Sequence, residues 1–118
     1  MSRHVGFSIE TTEAGDALLV RPQGELDLAT SPELERLVLG RLEAGRPVVL
    51  DLRGLEFMDS TGLRVLVQID ARSRSDDFQF VVLYGEGHVR RVLRESGLDG
   101  VLPVVDRYGR VPASDSPV

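Results

Sequence analysis

The first part of the chain alternates apolar and polar residues as a β-hairpin does. Val5–Thr11 alternates with a period of two, which predicts a strand with one buried face. Glu13–Asp16 carries turn residues and Ala17–Pro22 is apolar again, so we predict an antiparallel hairpin. Because Pro22 has no amide hydrogen to donate to a ladder, we expect it at a sheet edge or a strand end.

Three later segments carry apolar residues at the spacing of amphipathic helices. The first predicted helix runs from Pro32 to Ala44, with Gly45 as its stop. The second is expected over Thr61–Arg72, before a polar break. The third is marked by apolar positions between Val89 and Leu93 and is ended by Gly97.

Apolar runs that read as strands separate these helices. They are Val48–Leu52, Phe78–Tyr84 and Val101–Val105. The first run is almost continuously apolar, which is typical of a central strand covered on both faces. Alternation of strands and helices favours parallel pairing through right-handed crossovers. We therefore predict an α/β fold: a mixed β-sheet with an N-terminal antiparallel hairpin and parallel strands, covered by helices.

Length and composition favour one small cytoplasmic domain. The chain has 118 residues, which suits a single core, and we expect a domain over residues 1–107 with a flexible tail over 108–118. It shows neither a signal peptide nor a long apolar run, so we expect no membrane association. Its net charge of −5 argues against nucleic acid as a partner, because that binding needs clustered basic residues.

Several kinds of chemistry are excluded by residues that the chain lacks. It has no cysteine, so disulfides and thiolate zinc sites are excluded, and His4 and His88 are too isolated to suggest a metal cluster. All 14 basic residues are arginine. Schiff-base catalysis and the Walker phosphate loop, which need a lysine, are therefore excluded as well. We expect neither a metal nor another cofactor.

The stretch LRGLEFMDSTGL, residues Leu52–Leu63, leads from a predicted central strand into a predicted helix. In open α/β sheets, functional sites lie in such loops, at the carboxyl ends of the strands. Asp59 or Ser60 can cap the helix, and Gly62 lets another segment approach closely. One cap needs one side-chain oxygen, yet Asp59, Ser60 and Thr61 supply three. This surplus of polar groups favours a function besides capping.

The predicted second helix also has an unusually wide apolar arc. Leu63 and Val67 extend it beyond the stripe of about 100° that core packing requires. Two interpretations remain open: the start of this helix is deeply buried, or part of its apolar surface receives a partner.

Three segments together resemble a known family. Phe57–Leu63, at this distance after Val48–Leu52, resembles the phosphorylation segment of bacterial anti-sigma factor antagonists, which belong to the STAS domain superfamily. Gly24–Asp27, followed by a helix that Thr30 is expected to cap, resembles that family's first loop. Arg94–Leu98 resembles the end of its late helix. The similarity covers nearly the whole chain, and the central segment is the specific part of it.

The resemblance implies a binding protein and not an enzyme. Family members bind an anti-sigma factor that is also an ATP-dependent serine kinase. This binding displaces a sigma factor from the anti-sigma factor. Phosphorylation of the serine after the motif aspartate abolishes the binding. Carried over to this chain, the phosphoacceptor is Ser60, with Thr61 as the second candidate, and a phosphatase that removes the phosphate is a further expected partner. The residues expected near the anti-sigma factor are Glu25, Asp27, Thr30, Asp59, Thr61, Gly62 and Leu63.

Physical chemistry makes such a switch plausible without the family. A phosphate on Ser60 would lie at a helix N-terminus, where an anion is tolerated, so the fold should survive modification. The phosphate adds about −1.5 to −2 charges beside Asp59, which repels an acidic partner surface and imposes desolvation on the interface.

Other functions remain as alternatives. The glycine turn Tyr84–His88, together with the helix start at Ser60, could belong to a small nucleotide- or phosphate-binding protein, although Arg90 stands where the glycine fingerprint needs its last glycine. A STAS scaffold subunit of a larger stress-signalling assembly is a third possibility. The basic face of Arg90, Arg91 and Arg94 is interpreted as solvated, and Asp51 as a hydrogen-bonded structural acid. No catalytic set is found.

Overall fold

The computed structural model describes residues 6–43 and 45–105. Its strands are β1 (Ser8–Ala14), β2 (Ala17–Leu26), β3 (Val48–Asp51), β4 (Leu55–Met58), β5 (Phe80–Leu83) and β6 (Val104–Val105). Its helices are α1 (Ser31–Leu39), α2 (Ser60–Ser75) and α3 (His88–Ser96), followed by a 3₁₀ turn over Leu98–Gly100. Val5, Ala44, the predicted domain end at 107 and the predicted tail 108–118 lie outside the described residues.

The strands form one mixed sheet in the order β1-β2-β3-β5-β6, with β4 beside the second half of β2. β1 pairs antiparallel with β2, and every other pairing is parallel. The predicted fold class, an α/β mixed sheet with an N-terminal hairpin, is therefore confirmed. β3 is central as predicted, but Val49 is only half-buried, so the cover on that face of the strand is incomplete.

All three helices contribute to one hydrophobic core with the sheet. Alternate positions of the central strands face this core, which is the period-two pattern of a sheet face. The fully buried members of the core include Leu18, Val20, Leu26, Leu34, Val38, Leu50, Leu66, Ile69, Val82 and Leu93. Burial of this apolar surface is the main stabilising contribution to the fold.

The expectation that Pro22 lies at an edge or a strand end is wrong. β2 runs four residues beyond it, and Pro22 is buried within the strand. The amides of Leu18 and Gly24 donate to Pro47 and Gly54 on the side of β3 and β4. By the period of two, Pro22 faces the same side, between the last β2 residue paired with β3 and the first paired with β4. A missing amide hydrogen is tolerated in this gap.

Strand β4 was not predicted. Only four residues long, it has two buried and two exposed residues and no alternating pattern. Its pairing with the end of β2 is a long-range contact that periodicity cannot show. This pairing matters for function, because it brings together two loops that are about 30 positions apart in the sequence.

Two helix ends differ from prediction. α1 ends at Leu39 because Gly40, a poor helix former, follows it and donates its amide to Arg36. α2 runs to Ser75 and not to Arg72. Within that last turn, Arg74 Nη2 donates to Asp70 Oδ2 over 2.6 Å, so the polar segment continues the helix.

Asp51 is a buried acid held by two arginines. Arg21 Nε donates to its carboxylate over 3.0 Å, and Arg53 donates from its backbone amide and from its guanidinium, each over 3.0 Å. Burial by itself would raise the pKa of Asp51, but the hydrogen bonds and charges of Arg53 and Arg21 outweigh it, and the pKa is lowered. The interpretation of Asp51 as a structural acid agrees with these contacts.

The contacts of Asp51 with Arg21 and Arg53 predict a pH dependence of stability. The pKa of Asp51 is lower in the folded state than in the unfolded state. The carboxylate therefore stabilises the fold fully above the unfolded-state pKa of about 3.9, and this stabilisation is lost as the pH falls below that value through the folded-state pKa. We expect the free energy of unfolding of the wild type to fall more steeply below pH 4 than that of Asp51→Asn, measured by urea denaturation. Equal slopes in the two proteins would contradict this account of Asp51.

Candidate functional site at the ends of β2 and β4

β2 and β4 run parallel and end side by side. Leu26 is in register with Met58, and the amide of Asp59 donates to the carbonyl of Leu26 over 3.1 Å. The loop 27–30 that follows β2 is therefore a neighbour of the N-terminus of α2. This brings the two candidate segments from the sequence into one site.

Of the two residues predicted to cap α2, Asp59 and Ser60, Asp59 does so. Its Oδ1 accepts hydrogen bonds from the amides of Thr61 over 2.9 Å and Gly62 over 3.3 Å, and also from the hydroxyl of Thr61. Ser60 is the first residue of the helix and is exposed, and its hydroxyl has no hydrogen-bond partner within the described residues. Asp59 and Thr61 thus satisfy the cap, and the cap does not use the hydroxyl of Ser60.

Removing this cap should destabilise the protein moderately. We expect Asp59→Ala to lower the free energy of unfolding by about 1 kcal/mol, because two amides of the first turn lose their acceptor. Asp59→Asn keeps a capping oxygen and should cost only a few tenths of a kcal/mol. Denaturant titration measures both variants. Equal losses for alanine and asparagine would show that the cap is not what Asp59 contributes.

The loop after β2 is held by its own polar side chains. Thr30 Oγ1 donates to the carbonyl of Glu25 over 2.7 Å and accepts from the amide of Asp27 over 2.9 Å. Asp27 Oδ1 accepts from the amides of Ala29 and Thr30 over 3.0 and 3.1 Å. The expectation that the hydroxyl of Thr30 caps α1 is wrong, because that hydroxyl is engaged in ordering the loop.

A contact between two hydroxyls joins the starts of α1 and α2. Ser31 Oγ lies 3.3 Å from Thr61 Oγ1, and Ser31 is buried. Sequence reasoning missed Ser31, because its role depends on the neighbouring positions of β2 and β4. The contact also occupies Thr61, which is half-buried, whereas Ser60 is exposed.

Gly62 allows α2 to pack closely on the sheet. A Cβ at this position would lie 2.6 Å from Met58 Cγ and 2.9 Å from Leu26 Cδ2. Gly62 is buried, as is Thr30, so both residues shape the candidate site from beneath. Glu25 and Ser60 are exposed at its surface, while Asp27, Asp59 and Leu63 are half-buried.

Exposed apolar side chains lie on the elements that meet at the start of α2. Leu28, in the loop after β2, is 75% exposed, and Val67 on α2 is 43% exposed. Phe57 on β4 is 38% exposed and stacks on the ring of His88, with ring centroids 4.8 Å apart. Of the wide arc of α2, Leu63 packs partly against the core, and Val67 remains at the surface. Leu28 was missed by sequence reasoning, although an apolar residue in an otherwise polar loop is a usable signal.

Acidic side chains lie around the loop after β2. A groove of about 230 Å³ lies beside the loop after β2, and its charged lining residues are Glu25, Asp27 and Glu56. Among residues 6–43 and 45–105, no group of three His, Cys, Asp or Glu side chains could hold a metal ion. In the same ranges no helix is long and apolar enough to span a membrane.

The family model of the STAS domain matches residues 8–110. The chain belongs to the STAS domain family. This confirms the resemblance that the motif around Ser60 indicated, and the match covers all the secondary structure described above.

Similar members of the family are anti-sigma factor antagonists. The anti-sigma-B factor antagonist of Staphylococcus aureus is 30% identical over 101 residues, which cover 85% of this chain and 94% of that protein. The crystal structure of an anti-sigma factor antagonist from Mycobacterium paratuberculosis matches with a TM-score of 0.77 and 25% identity, over 88% of this chain and 89% of that one. The anti-sigma factor antagonist SpoIIAA in its unphosphorylated form shares the fold, with a TM-score of 0.68 and 22% identity over 85% and 86% of the chains.

Proposed function

We propose that this STAS domain is an anti-sigma factor antagonist that phosphorylation of Ser60 switches off. In the unmodified state it binds an anti-sigma factor with serine kinase activity in the cytoplasm, and this binding releases a sigma factor. The kinase transfers phosphate to Ser60, and a phosphatase restores the active form. The names of its relatives in Staphylococcus aureus and Mycobacterium paratuberculosis support the antagonist activity.

One observation carries the proposal for Ser60. Its hydroxyl is exposed and has no partner within the described residues, while Asp59 and Thr61 complete the helix cap. Folding therefore does not require the hydroxyl of Ser60, and a kinase can reach it. Thr61 is the poorer acceptor, because its hydroxyl donates to Asp59 and lies against Ser31.

The proposed partner surface consists of the loop 27–30, the first turns of α2 and the exposed ends of β2 and β4. Glu25, Asp59 and Leu63 would contact the anti-sigma factor directly, whereas Thr30 and Gly62 support the surface from beneath. Leu28 and Val67 add apolar area that a partner can bury. Water-exposed apolar groups beside ordered polar groups are a usual composition for a binding surface.

The charge around Ser60 explains how one phosphate would stop binding. The modified residue would carry about −1.5 to −2 charges next to Asp59, and the paired strands β2 and β4 that end at this site already carry Glu25 and Glu56. Burial of such a group in an interface requires its desolvation, and like charges on the partner repel it. The fold tolerates the phosphate, because the N-terminus of α2 favours negative charge.

The test is to map the phosphate. The protein is incubated with MgATP and the anti-sigma kinase, and peptides are analysed by mass spectrometry. We expect phosphate on Ser60 in the wild type and in Thr61→Val, and none in Ser60→Ala. Ser75→Ala, which changes an exposed serine at the other end of α2, is the matched control and should be modified normally. Phosphate on another residue, or full labelling of Ser60→Ala, would refute the assignment.

A further inference from the structure

His88 lies beside the candidate site but comes from a different part of the chain. It is the first residue of α3, and its ring stacks on Phe57 with 4.8 Å between centroids and 16° between planes. Its Nε2 lies 3.1 Å from the carbonyl oxygen of Met58. Because a carbonyl can only accept, Nε2 carries the proton in this hydrogen bond.

The hydrogen bond of His88 acts on the peptide group that precedes the cap of α2. The carbonyl of Met58 and the amide of Asp59 belong to one planar peptide unit. The carbonyl accepts from His88 on α3, and the amide donates to Leu26 on β2 over 3.1 Å. One peptide is thus held from two sides, by two elements that are distant in sequence.

The position of this peptide determines where Ser60 is placed. Asp59, the next residue, has an extended backbone conformation with φ −108° and ψ −170°, and from there it caps the first turn of α2. Ser60 follows directly as the first residue of that helix. A rotation of the preceding peptide would move both the capping carboxylate and the hydroxyl of Ser60.

Met58 has no substitute for His88 within the described residues. β4 pairs only with β2 there, so its other edge has no strand neighbour. Met58 is 1% exposed, which means that water is a poor alternative partner for its carbonyl. Loss of the histidine would leave a buried acceptor without a donor, which a protein structure avoids by local rearrangement.

We propose that His88 is a positioning residue for the phosphorylation of Ser60, which it places by fixing the Met58–Asp59 peptide through its hydrogen bond and its stacking on Phe57. The inference rests on the proposed function only for its kinetic consequence. The hydrogen bond of His88 to Met58 and the stacking of its ring on Phe57, together called the clamp, are present in the unmodified protein and can be measured without the kinase.

Three variants separate the two contacts of the ring. His88→Gln keeps an amide donor at similar reach and loses the stacked ring, His88→Phe keeps the ring and loses the donor, and His88→Ala loses both. Arg91→Ala, on the exposed side of the same helix, is the matched control. Unfolding free energies are measured for all four, so that kinetic effects are compared only among variants that remain folded.

The first measurement is hydrogen exchange at the amide of Asp59 in the unmodified protein, followed by NMR. Loss of one hydrogen bond of ordinary strength should speed exchange by about two- to tenfold in His88→Phe, and more in His88→Ala. His88→Gln, which keeps the donor and loses the stacking, should exchange at a rate between those of the wild type and His88→Phe, and Arg91→Ala should match the wild type. An exchange rate in His88→Phe equal to that of the wild type would overturn the clamp, whatever the function of Ser60.

The second measurement is phosphorylation of Ser60 by the anti-sigma kinase with MgATP. A misplaced hydroxyl lowers kcat more than it raises KM, because most of the partner surface, including the loop 27–30, is unchanged. We expect kcat to fall about two- to tenfold in His88→Phe and to recover in part in His88→Gln, which restores the donor but not the stacked ring. Equal kcat values in the wild type and His88→Phe would overturn the positioning role, whereas absence of phosphate from Ser60 in the wild type would refute the proposed function and leave the exchange result to decide the clamp.

Discussion

Replacement of Ser60 by aspartate is expected to weaken binding of the anti-sigma factor about a hundredfold, whereas replacement by alanine should change the affinity less than about threefold. The hydroxyl of Ser60 has no partner within the described residues, so its loss removes no hydrogen bond from this part of the chain. A carboxylate adds charge beside Asp59 and must be desolvated in the interface. A cost of about 3 kcal/mol corresponds to a change of more than a hundredfold in Kd. Isothermal titration calorimetry with the purified anti-sigma factor measures both affinities.

A charge elsewhere on the protein should not have this effect. Thr12→Asp adds the same charge at an exposed position of β1, paired with Leu19 near the opposite end of β2 from the site. We expect its affinity to equal that of the wild type, apart from a small salt-dependent change. If Thr12→Asp weakens binding as strongly as Ser60→Asp, net charge and not the site controls the interaction.

Replacement of Gly24 by alanine is expected to lower the free energy of unfolding by about 3 kcal/mol. A Cβ there would lie 2.0 Å from the backbone oxygen of Gly6, and backbone cannot move aside as a flexible side chain can. The residue also has φ +102°, a conformation that side chains disfavour. Strain and overpacking each cost about 1–3 kcal/mol. Urea denaturation measures the loss.

Gly15→Ala separates these two causes. Gly15 also has a positive φ, +63°, but a Cβ there would meet nothing within 4 Å. Its replacement should cost only roughly 1–2 kcal/mol, the cost of a left-handed conformation. A loss at Gly24 no greater than that at Gly15 would contradict the close approach of the segment at Gly6 to β2. Because Gly24 precedes Glu25, the same variant should also displace the loop after β2.

Much of the architecture is predictable from local patterns. The hairpin, the three helices and the strands β3, β5 and β6 follow from periodicity, caps and turn residues, and the structure confirms them with shifts at their ends. Gly97 ends α3 as predicted, with φ +79°. α1 ends earlier than the pattern predicts, because Gly40 interrupts the helix although Leu42 still packs against the core.

The remainder of the site depends on contacts between distant segments. No local pattern predicts β4, because its four residues do not alternate. Without β4, the contact between Ser31 and Thr61 cannot be predicted from the sequence. The same pairing explains why Pro22 is tolerated inside a strand. The surplus of hydroxyls around Ser60 was visible in the sequence, but only the structure shows which of them the cap uses.

The most direct test of the account compares the two states of the same protein. The protein is phosphorylated to completion at Ser60, the modification is verified by mass spectrometry, and its affinity for the anti-sigma factor is measured beside that of the unmodified protein. A circular dichroism spectrum shows whether the fold is retained. The account predicts an unchanged fold and a Kd about a hundredfold higher for the phosphorylated form. Equal affinity of the two forms, with Ser60 fully modified, would contradict it.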